Sequence, residues 1–287
     1  MASRAVRGHG SWGDYNPAFA GGECMDLSTA LTHSAIAVSC MMIAVWLFSV
    51  LLKDASIVDI GWGLGFVLIV WVVFVGSERS TRCWLLAILT TIWGLRLSGY
   101  LAKRNHGKPE DYRYAAMRAK HGSKFPIVSF FTVFLLQGVI MLIVSLPLQA
   151  GQTIHATAPL GVVSWIGVAI WAIGFAFEAG GDWQLAKFKS NPENKGKVLD
   201  SGFWRYTRHP NYFGDFAIWW GLFLVSLGPG KAWWTAIGPI MMSFFLIKVS
   251  GVAMLEKNMK KKPGYEDYIA RTNAFFPWFP GKNKQAE

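Results

Sequence analysis

Apolar runs of about 20 residues recur along most of the chain, and they constrain its fold more than any other feature. Each run is long enough to cross a hydrocarbon core of about 30 Å as an α-helix. Membrane β-barrels are built instead from short segments of alternating hydrophobicity, which this sequence lacks. Only 16% of the residues are charged, against roughly a quarter in a soluble domain. The sequence therefore predicts an all-α integral membrane protein.

We predict seven membrane spans, at about 28–52, 57–76, 83–101, 126–148, 160–180, 211–228 and 232–254. Lys and Arg are concentrated in the connections 102–125 and 181–210 and after residue 256, and they are absent from 149–159. Cationic loops remain on the cytoplasmic side, so the N-terminus is expected outside and the C-terminus in the cytoplasm. We expect one transmembrane domain over 27–280 with two cytoplasmic loops, 102–125 and 181–210. An N-terminal tail expected to be disordered, 1–26, and a short tail, 281–287, flank it.

The formal net charge of +11 would suggest a nucleic-acid partner in a soluble protein. Here the cations lie between apolar spans, so they are interpreted as orienting charges that are also able to attract a phosphorylated cofactor, and no nucleic acid is expected. The cysteines, Cys24, Cys40 and Cys83, show no C-x-x-C spacing, so neither a disulfide nor a metal site is predicted. The expected membrane is the bacterial inner membrane or the endoplasmic reticulum.

Ionisable residues lie at or near the ends of the predicted spans, all in the half assigned to the cytoplasm. They are Asp59, Arg96, Glu178, Asp182, Asp215, Lys248 and Glu256. A charge inside the bilayer costs about 2.5–3.5 kcal/mol on insertion scales, so such residues indicate function. We expect a functional role for Arg96 and Asp215 in particular. For Glu178 or Lys248, a role at a helix end is the simpler interpretation.

Two predicted helix faces mix aromatic and ionisable side chains. The first comprises Trp93, Arg96, Tyr100 and Arg104, and the second comprises Asn211, Asp215 and Trp219. Spacings of three and four residues place the members of each set on one side of a helix. Because guanidinium and carboxylate groups need polar partners, both faces are expected to point into the bundle.

The segment 200–221, DSGFWRYTRHPNYFGDFAIWWG, carries the most information. Pro210 suits the first position of the sixth predicted helix. The N-terminus of that helix is flanked by Arg205, Arg208 and His209, an arrangement that suits a phosphate group. An ordinary helix start with interfacial cations is the alternative.

The tail after Glu256 alternates basic and aromatic residues. Tyr265, Tyr268 and Arg271 are able to stack on and pair with a nucleotide. Alternatively, the run Lys260–Lys262 binds anionic lipid. The glycines of GWGLGF lie inside a span, so we expect them to allow close helix packing rather than to bind a dinucleotide.

The segments 200–221 and 256–280 resemble the membrane steroid 5α-reductases and their sterol-reductase relatives, with GFWRYTRHPNYFGD as the strongest match. Those enzymes are multi-span helical proteins that bind NADPH without a Rossmann fold. An R-H-P-x-Y signature also occurs in membrane isoprenylcysteine and phospholipid methyltransferases. The motif therefore indicates a superfamily more firmly than a reaction.

The resemblance implies cofactor contacts for Arg96, Asp182, Lys197, His209, Asn211, Tyr212, Asp215 and Trp219. Further candidate cofactor-binding residues, from charge and position, are Arg104, Arg205, Arg208, Glu256, Tyr268 and Arg271. The resemblance places Asp59 near the substrate carbonyl, and it places Trp93 where the steroid reductases carry a tyrosine. An indole N–H donates a hydrogen bond but does not release a proton at ordinary pH. Asp59, with a pKa expected to be raised by burial, is therefore preferred as the acid, and Tyr100 is the other candidate. As hydrogen-bond donors to the carbonyl, Asp59, Tyr100 and Trp93 all stay open.

The expected function is the NADPH-dependent reduction of the C=C bond of an enone lipid, foremost the Δ4 bond of a 3-oxo-steroid that arrives from the bilayer. An S-adenosylmethionine-dependent methylation of a lipid or prenyl-cysteine is the alternative from another enzyme class. A transporter or lipid-binding scaffold is disfavoured, because inverted repeats with paired Gly/Pro breaks near the midplane are not evident.

Overall fold

The computed structural model describes residues 24–229, 232–249, 252, 256, 259 and 262–281, and every regular element among them is helical. The α-helices are α1 Leu27–Leu52, α2 Ile57–Gly76, α3 Thr81–Asn105, α4 Tyr112–His121, α5 Phe125–Ser129, α6 Leu136–Val144, α7 Leu146–Thr153, α8 Val162–Ser190, α9 Pro210–Ser226, α10 Ile237–Phe244 and α11 Tyr265–Arg271. π-helical turns span Phe130–Leu135 and Phe245–Val249. Short 3₁₀ turns span Gly122–Lys124, Pro192–Asn194, Gly202–Arg205 and Ala232–Ala236.

Among the described residues, six helical segments are long and apolar enough to cross a membrane, which supports an integral membrane protein. They are Leu27–Leu52, Ile57–Gly76, Thr81–Asn105, Tyr112–Val144, Val162–Ser190 and Ala232–Val249. The predicted sixth span is α9, which has 17 residues and a length of about 25 Å, shorter than the other six. The predicted tails fall largely outside the described residues, as does most of the seventh span beyond residue 249.

Helices extend into both predicted cytoplasmic loops. Helix α3 continues to Asn105, α4 lies within 102–125, and α8 runs to Ser190 rather than ending near 180. Basic residues occupy the last turns of α3 and α8, where they interact favourably with the negative end of the helix dipole. The non-helical connections are therefore shorter than predicted, at 106–111 and in parts of 191–209.

Helices α8 and α9 approach each other at two pairs of glycines. A Cβ atom on Gly174 would lie 2.6 Å from the backbone oxygen of Gly214, and one on Gly167 would lie 2.7 Å from that of Gly221. In both helices the two glycines are seven residues apart, so they share one face. Small residues allow this close backbone packing in membrane proteins. Gly181 also lies against Pro210, so the start of α9 is held against the middle of α8.

Helices α2 and α3 pack in the same way, because a Cβ on Gly63 would lie 2.4 Å from the backbone oxygen of Gly94. This contact confirms that glycines of GWGLGF serve helix packing. Next to it lies the aromatic centre of the core, where Phe66, Trp93 and Trp219 are fully buried with ring centroids 4.5–5.6 Å apart. The core thus joins α2, α3 and α9.

Arg82 lies in the first turn of α3. It is 1% exposed and binds backbone oxygens instead of a carboxylate. Its guanidinium donates to Val225 O, to Leu227 O at 2.6 Å and to Pro159 O at 2.9 Å. These oxygens belong to the end of α9 and to the connection before α8. The single side chain therefore ties three parts of the bundle together at this end.

Candidate functional site

The polar ends of α2, α3, α8 and α9 meet at the other end of the bundle, around three adjoining cavities. The inner cavity, about 340 Å³, is lined by Asp59, Tyr100, Arg113, Gln137, Glu178, Asn211 and Asp215 among others. The outer cavity, about 550 Å³, is lined by Lys189, Lys195, Lys197, Arg208, His209, Lys262, Tyr265 and Tyr268 among others. The lateral cavity, about 970 Å³, lies between α3, the 106–111 connection and α8. Tyr100, Arg104 and Asp182 line all three.

Arg96 is the centre of the buried charge network. Its guanidinium donates to Asp182 Oδ2 at 2.8 and 2.9 Å and forms an ion pair with Glu178 Oε1 at 3.0 Å. The other oxygen of Glu178 accepts the indole N–H of Trp93 at 3.0 Å. The Glu178 and Asp182 side chains are 4% and 7% exposed, so both carboxyls depend on this one cation. Trp93 and Arg96, which the sequence predicts on one face of α3, thus both contact α8.

Glu178 does not cap a helix end, which was the simpler interpretation from sequence. It lies inside α8, three turns before Ser190, because the helix continues beyond its apolar part. Its carboxyl group is enclosed and binds both Arg96 and Trp93. Glu178 is therefore a residue of the site that sequence reasoning missed.

Helix α9 supplies an amide and a third carboxyl group. Asn211 donates from Nδ2 to Asp182 Oδ1 at 3.1 Å. Asp215, one turn further, also lines the inner cavity, and its Oδ1 has no hydrogen-bond partner among the described residues. This oxygen is enclosed by the protein, and the side chain of Trp219, one turn further along α9, interacts with the same carboxyl group.

Asp59, at the start of α2, is paired on both oxygens. Arg113 donates to Oδ2 and Tyr114 donates its hydroxyl to Oδ1, each at 2.8 Å. Arg113 also binds Asp111, and Gln137 Nε2 approaches the Tyr114 hydroxyl at 3.4 Å. A carboxylate that accepts from a guanidinium and a phenol is a hydrogen-bond acceptor in this arrangement.

Asp111 caps α4 and orients Arg113 toward the inner cavity. Its side chain accepts the backbone N–H of Arg113 at 3.0 Å and the guanidinium at 2.8 Å. Burial opposes ionisation of Asp111, but these hydrogen bonds outweigh it and hold its pKa below the usual value. Sequence reasoning missed Arg113 and Tyr114. The capping residue Asp111, two residues before Arg113, is the sequence feature that indicates a helix start there.

Four cations form an unpaired cluster where the outer and lateral cavities meet. Arg104, Lys108, Lys189 and Lys262 interact electrostatically with one another around Lys189. In the described part of the chain, none of the four forms an ion pair with a carboxylate. Arg104 also interacts electrostatically with Asp59, Asp111 and Asp182, whereas a group of cations in excess attracts a multiply charged anion such as a phosphate. Only Arg104 was singled out from the sequence as a cofactor residue.

Arg208, by contrast, is neutralised within the protein. It forms an ion pair with Glu256 at 2.7 Å, while His209 Nε2 lies 3.2 Å from the same carboxyl oxygen. Burial opposes ionisation of Glu256, but the hydrogen bonds from His209 and Arg208 prevail and lower its pKa to about 2. Burial raises the pKa of the adjacent Tyr265 to about 12, so its hydroxyl stays protonated. This group builds the wall of the outer cavity.

Several predicted residues do not line the cavities described above. Trp93 and Trp219 are fully buried behind Glu178, and Arg205 is exposed outside the cavities. Arg271 forms an ion pair with Asp200 instead of facing the outer cavity. The remaining predicted residues that line a cavity are Lys197, His209, Tyr212 and Tyr268 in the outer cavity, with Tyr212 also in the inner one.

Comparison with known proteins gives the family. A family model described as a protein of unknown function (DUF1295) matches residues 45–272. The chain belongs to the DUF1295 family. This family is linked to the steroid 5α-reductase-like superfamily, and the comparisons name no more specific family within it. The uncharacterized protein C594.04c of Schizosaccharomyces pombe is 24% identical over 278 residues, covering 83% of this chain and 77% of the yeast protein. No solved structure matches the chain.

Proposed function

We propose that this DUF1295 protein is an NADPH-dependent reductase of enone lipids, with a 3-oxo-Δ4-steroid as the model substrate. The observation that carries the proposal is the polarity of the joined cavities. Unpaired cations surround the outer and lateral cavities, and carboxyl groups, among them that of Asp215, line the inner one. A dinucleotide has a matching polarity, with phosphates in its middle and a carboxamide at its reactive end.

The residues present suit this cofactor. Arg104, Lys189 and Lys262, with Lys195 and Lys197 on the cavity wall, would hold the phosphates. Asp215 would accept the carboxamide N–H₂ group, and the Arg96–Asp182 pair with Asn211 would fix that end of the cavity. The bound NADPH would supply a hydride to the β-carbon of the enone. The protein orients the two reactants and excludes water from the reaction.

Tyr100 is the proposed proton donor to the substrate carbonyl oxygen. It lines the inner cavity, whereas the two other candidates from sequence are engaged: the Trp93 N–H is bound by Glu178, and both oxygens of Asp59 accept hydrogen bonds. A phenol that donates to the carbonyl would stabilise the negative charge on its oxygen after hydride addition to the β-carbon, and protonation of the α-carbon would complete the reduction to the saturated ketone. Asp59 then serves to hold Arg113 and Tyr114 beside the substrate.

We place the cavities on the cytoplasmic side, because most loop cations lie at this end of the bundle. The apolar substrate would then arrive from the bilayer, on the side where the exposed Trp183 and Tyr112 lie. The expected membrane is still the bacterial inner membrane or the endoplasmic reticulum.

The test uses purified protein in nanodiscs, with NADPH oxidation followed by absorbance in the presence of progesterone, testosterone or a simple enone lipid. Tyr100→Phe is expected to keep NADPH affinity while turnover falls by roughly 10²-fold or more. Arg205→Met removes an exposed cation outside the cavities, so it is the matched control for Lys197→Met, which is expected to weaken NADPH binding. No NADPH oxidation with any enone lipid would refute the proposed reaction.

The acidic inner cavity supports one competing function, methyl transfer from S-adenosylmethionine. Asp59, Asp111, Glu178, Asp182 and Asp215 provide five carboxyl groups against the guanidinium groups of Arg104 and Arg113, and such a cavity also suits a cationic sulfonium. The unpaired cation cluster has no role with that cofactor, because it lacks phosphates. Calorimetric titration with NADPH and with S-adenosylmethionine separates the two, and micromolar binding of only the latter would favour methyl transfer.

A further inference from the structure

Residues 273–281, here named the C-terminal strap, expose three large aromatic side chains at the polar end of the bundle. Phe276 is 57% exposed, Trp278 69% and Phe279 77%. Phe275 alone is buried, with its ring 5.5 Å from that of Phe216 on α9. Exposed aromatic residues in such a group indicate an interaction surface, since water-facing surfaces rarely keep contiguous apolar patches.

The strap is held in place by its backbone. Three hydrogen bonds of 2.9 Å anchor it: Arg208 N–H to Asn273 O, Trp278 N–H to Tyr206 O, and Gly281 N–H to Arg271 O. The hydroxyl of Thr207 adds a bond to Phe275 O at 2.8 Å. The aromatic side chains are therefore presented by a fixed scaffold.

A continuous row of aromatic contacts joins the strap to the apolar surface of a membrane helix. The ring of Phe276 lies 6.2 Å from Phe213 on α9, and Phe213 lies 5.1 Å from Phe177 on α8. One turn before Phe177, Ile173 is 54% exposed on the span Val162–Ser190. The strap thus extends the exposed apolar surface of a helix that is long and apolar enough to cross a membrane.

We propose that the C-terminal strap inserts Phe276, Trp278 and Phe279 into the membrane interface, at the level of the lipid headgroups. The occupant of this surface is the bilayer itself, because the patch continues the lipid-facing side of α8 and α9. Tryptophan and other aromatic rings favour this zone, where their apolar faces meet acyl chains and their polar edges meet water.

The proposal has a consequence for the outer cavity. The strap binds the backbone of Arg208 and the hydroxyl of Thr207, and the following residue, His209, lines that cavity. Insertion of the strap therefore fixes the cavity opening next to the headgroups. This consequence does not depend on which cofactor the cavity binds.

The test measures the depth of spin labels by power-saturation electron paramagnetic resonance in nanodiscs. Cys24 and Cys40 are exposed and are first replaced by Ser, whereas Cys83 is buried. Labels are placed at Trp278→Cys and Phe279→Cys. Glu193→Cys, on an exposed connection, is the aqueous control, and Ile36→Cys, 58% exposed on α1, is the lipid control.

The ratio of oxygen to nickel-complex accessibility at positions 278 and 279 is expected to exceed that at 193 several-fold and to approach that at 36. A ratio equal to that at position 193 would place the strap in water and overturn the proposal. Protection from both reagents would also overturn it, because a second copy of the chain or another protein would then cover the patch.

A second measurement avoids the labelled cysteines, which could alter the strap. Trp278→Phe keeps an aromatic ring at the interface and removes one indole. The fluorescence quenched by lipids brominated near the headgroup is expected to decrease in this variant relative to the unmodified protein. Unchanged quenching, with wild-type folding by circular dichroism, would contradict interfacial insertion.

Discussion

Replacing Arg96 by Met gives the sharpest test of the buried charge network. The substitution keeps a side chain of similar length but removes the guanidinium that forms ion pairs with Glu178 and Asp182. Three contacts of 2.8–3.0 Å are lost, and two enclosed carboxyl groups are left without a cation. Removal of one partner of a buried ion pair costs about 3–5 kcal/mol, since the remaining charge is uncompensated. We expect the free energy of unfolding to fall by that amount.

The measurement is denaturant unfolding in detergent, followed by tryptophan fluorescence. The triple variant Arg96→Met/Glu178→Gln/Asp182→Asn removes the orphaned charges while its amide oxygens still accept from Trp93 and Asn211. It is expected to regain more than half of the lost stability, because buried charges cost more than buried amides.

Two outcomes would refute this reasoning. A loss below about 1 kcal/mol in Arg96→Met would mean that the two carboxyl groups do not depend on the guanidinium, as in an exposed ion pair. A triple variant less stable than the single one would mean that the carboxyls stabilise the fold without Arg96.

Three further predictions follow from the packing and charges. Gly214→Ala would place a Cβ 2.4 Å from the backbone N of Glu178, so it should destabilise the protein by about 1–3 kcal/mol. Gly99→Ala is the control, because Gly99 has open space around it and the substitution should not destabilise the protein. Thermal unfolding of the two variants makes the comparison. The pKa of the Glu256 carboxyl group is lowered from 4.5 to about 2 in the folded protein. Its carboxylate therefore contributes stability that is present above pH 4.5 and is lost as the pH falls toward 2. Glu256→Gln should abolish this pH dependence in unfolding scans. Lys189→Met should weaken NADPH binding about tenfold and reduce its salt dependence in titration calorimetry, and equal affinity would exclude a phosphate at the cation cluster.

The sequence predicts the convergence of polar residues because helical spacing is a local property. Arg96 and Tyr100 share a face of α3, and Asn211 and Asp215 share a face of α9, and these faces do meet at the inner cavity. Proline at the start of α9 was also predicted, and the helix begins there. Periodicity is enough for such features, since it fixes which side chains a helix presents together.

Other parts of the site depend on contacts that no local pattern specifies. Asp59 is bound by Arg113 and Tyr114, more than 50 residues later in the chain. Glu178 was misinterpreted because hydropathy ends where α8 becomes polar, although the helix itself continues. Trp93 and Trp219 have the spacing of site residues but face the core, and helical spacing alone is the same for either orientation.

Arg82 has a consequence for how the bundle responds to a ligand. At the end of the bundle where Arg82 lies, its guanidinium joins α3 to the end of α9 and to the connection before α8. These hydrogen bonds are made to backbone oxygens, so a ligand does not replace them. At the cavity end, the same helices are joined by side-chain charges that an incoming molecule can rearrange. Any opening of the cavities is therefore expected to pivot about the Arg82 end, so that displacements grow along α3 and α9 toward the cavities while the spacing at Arg82 stays constant.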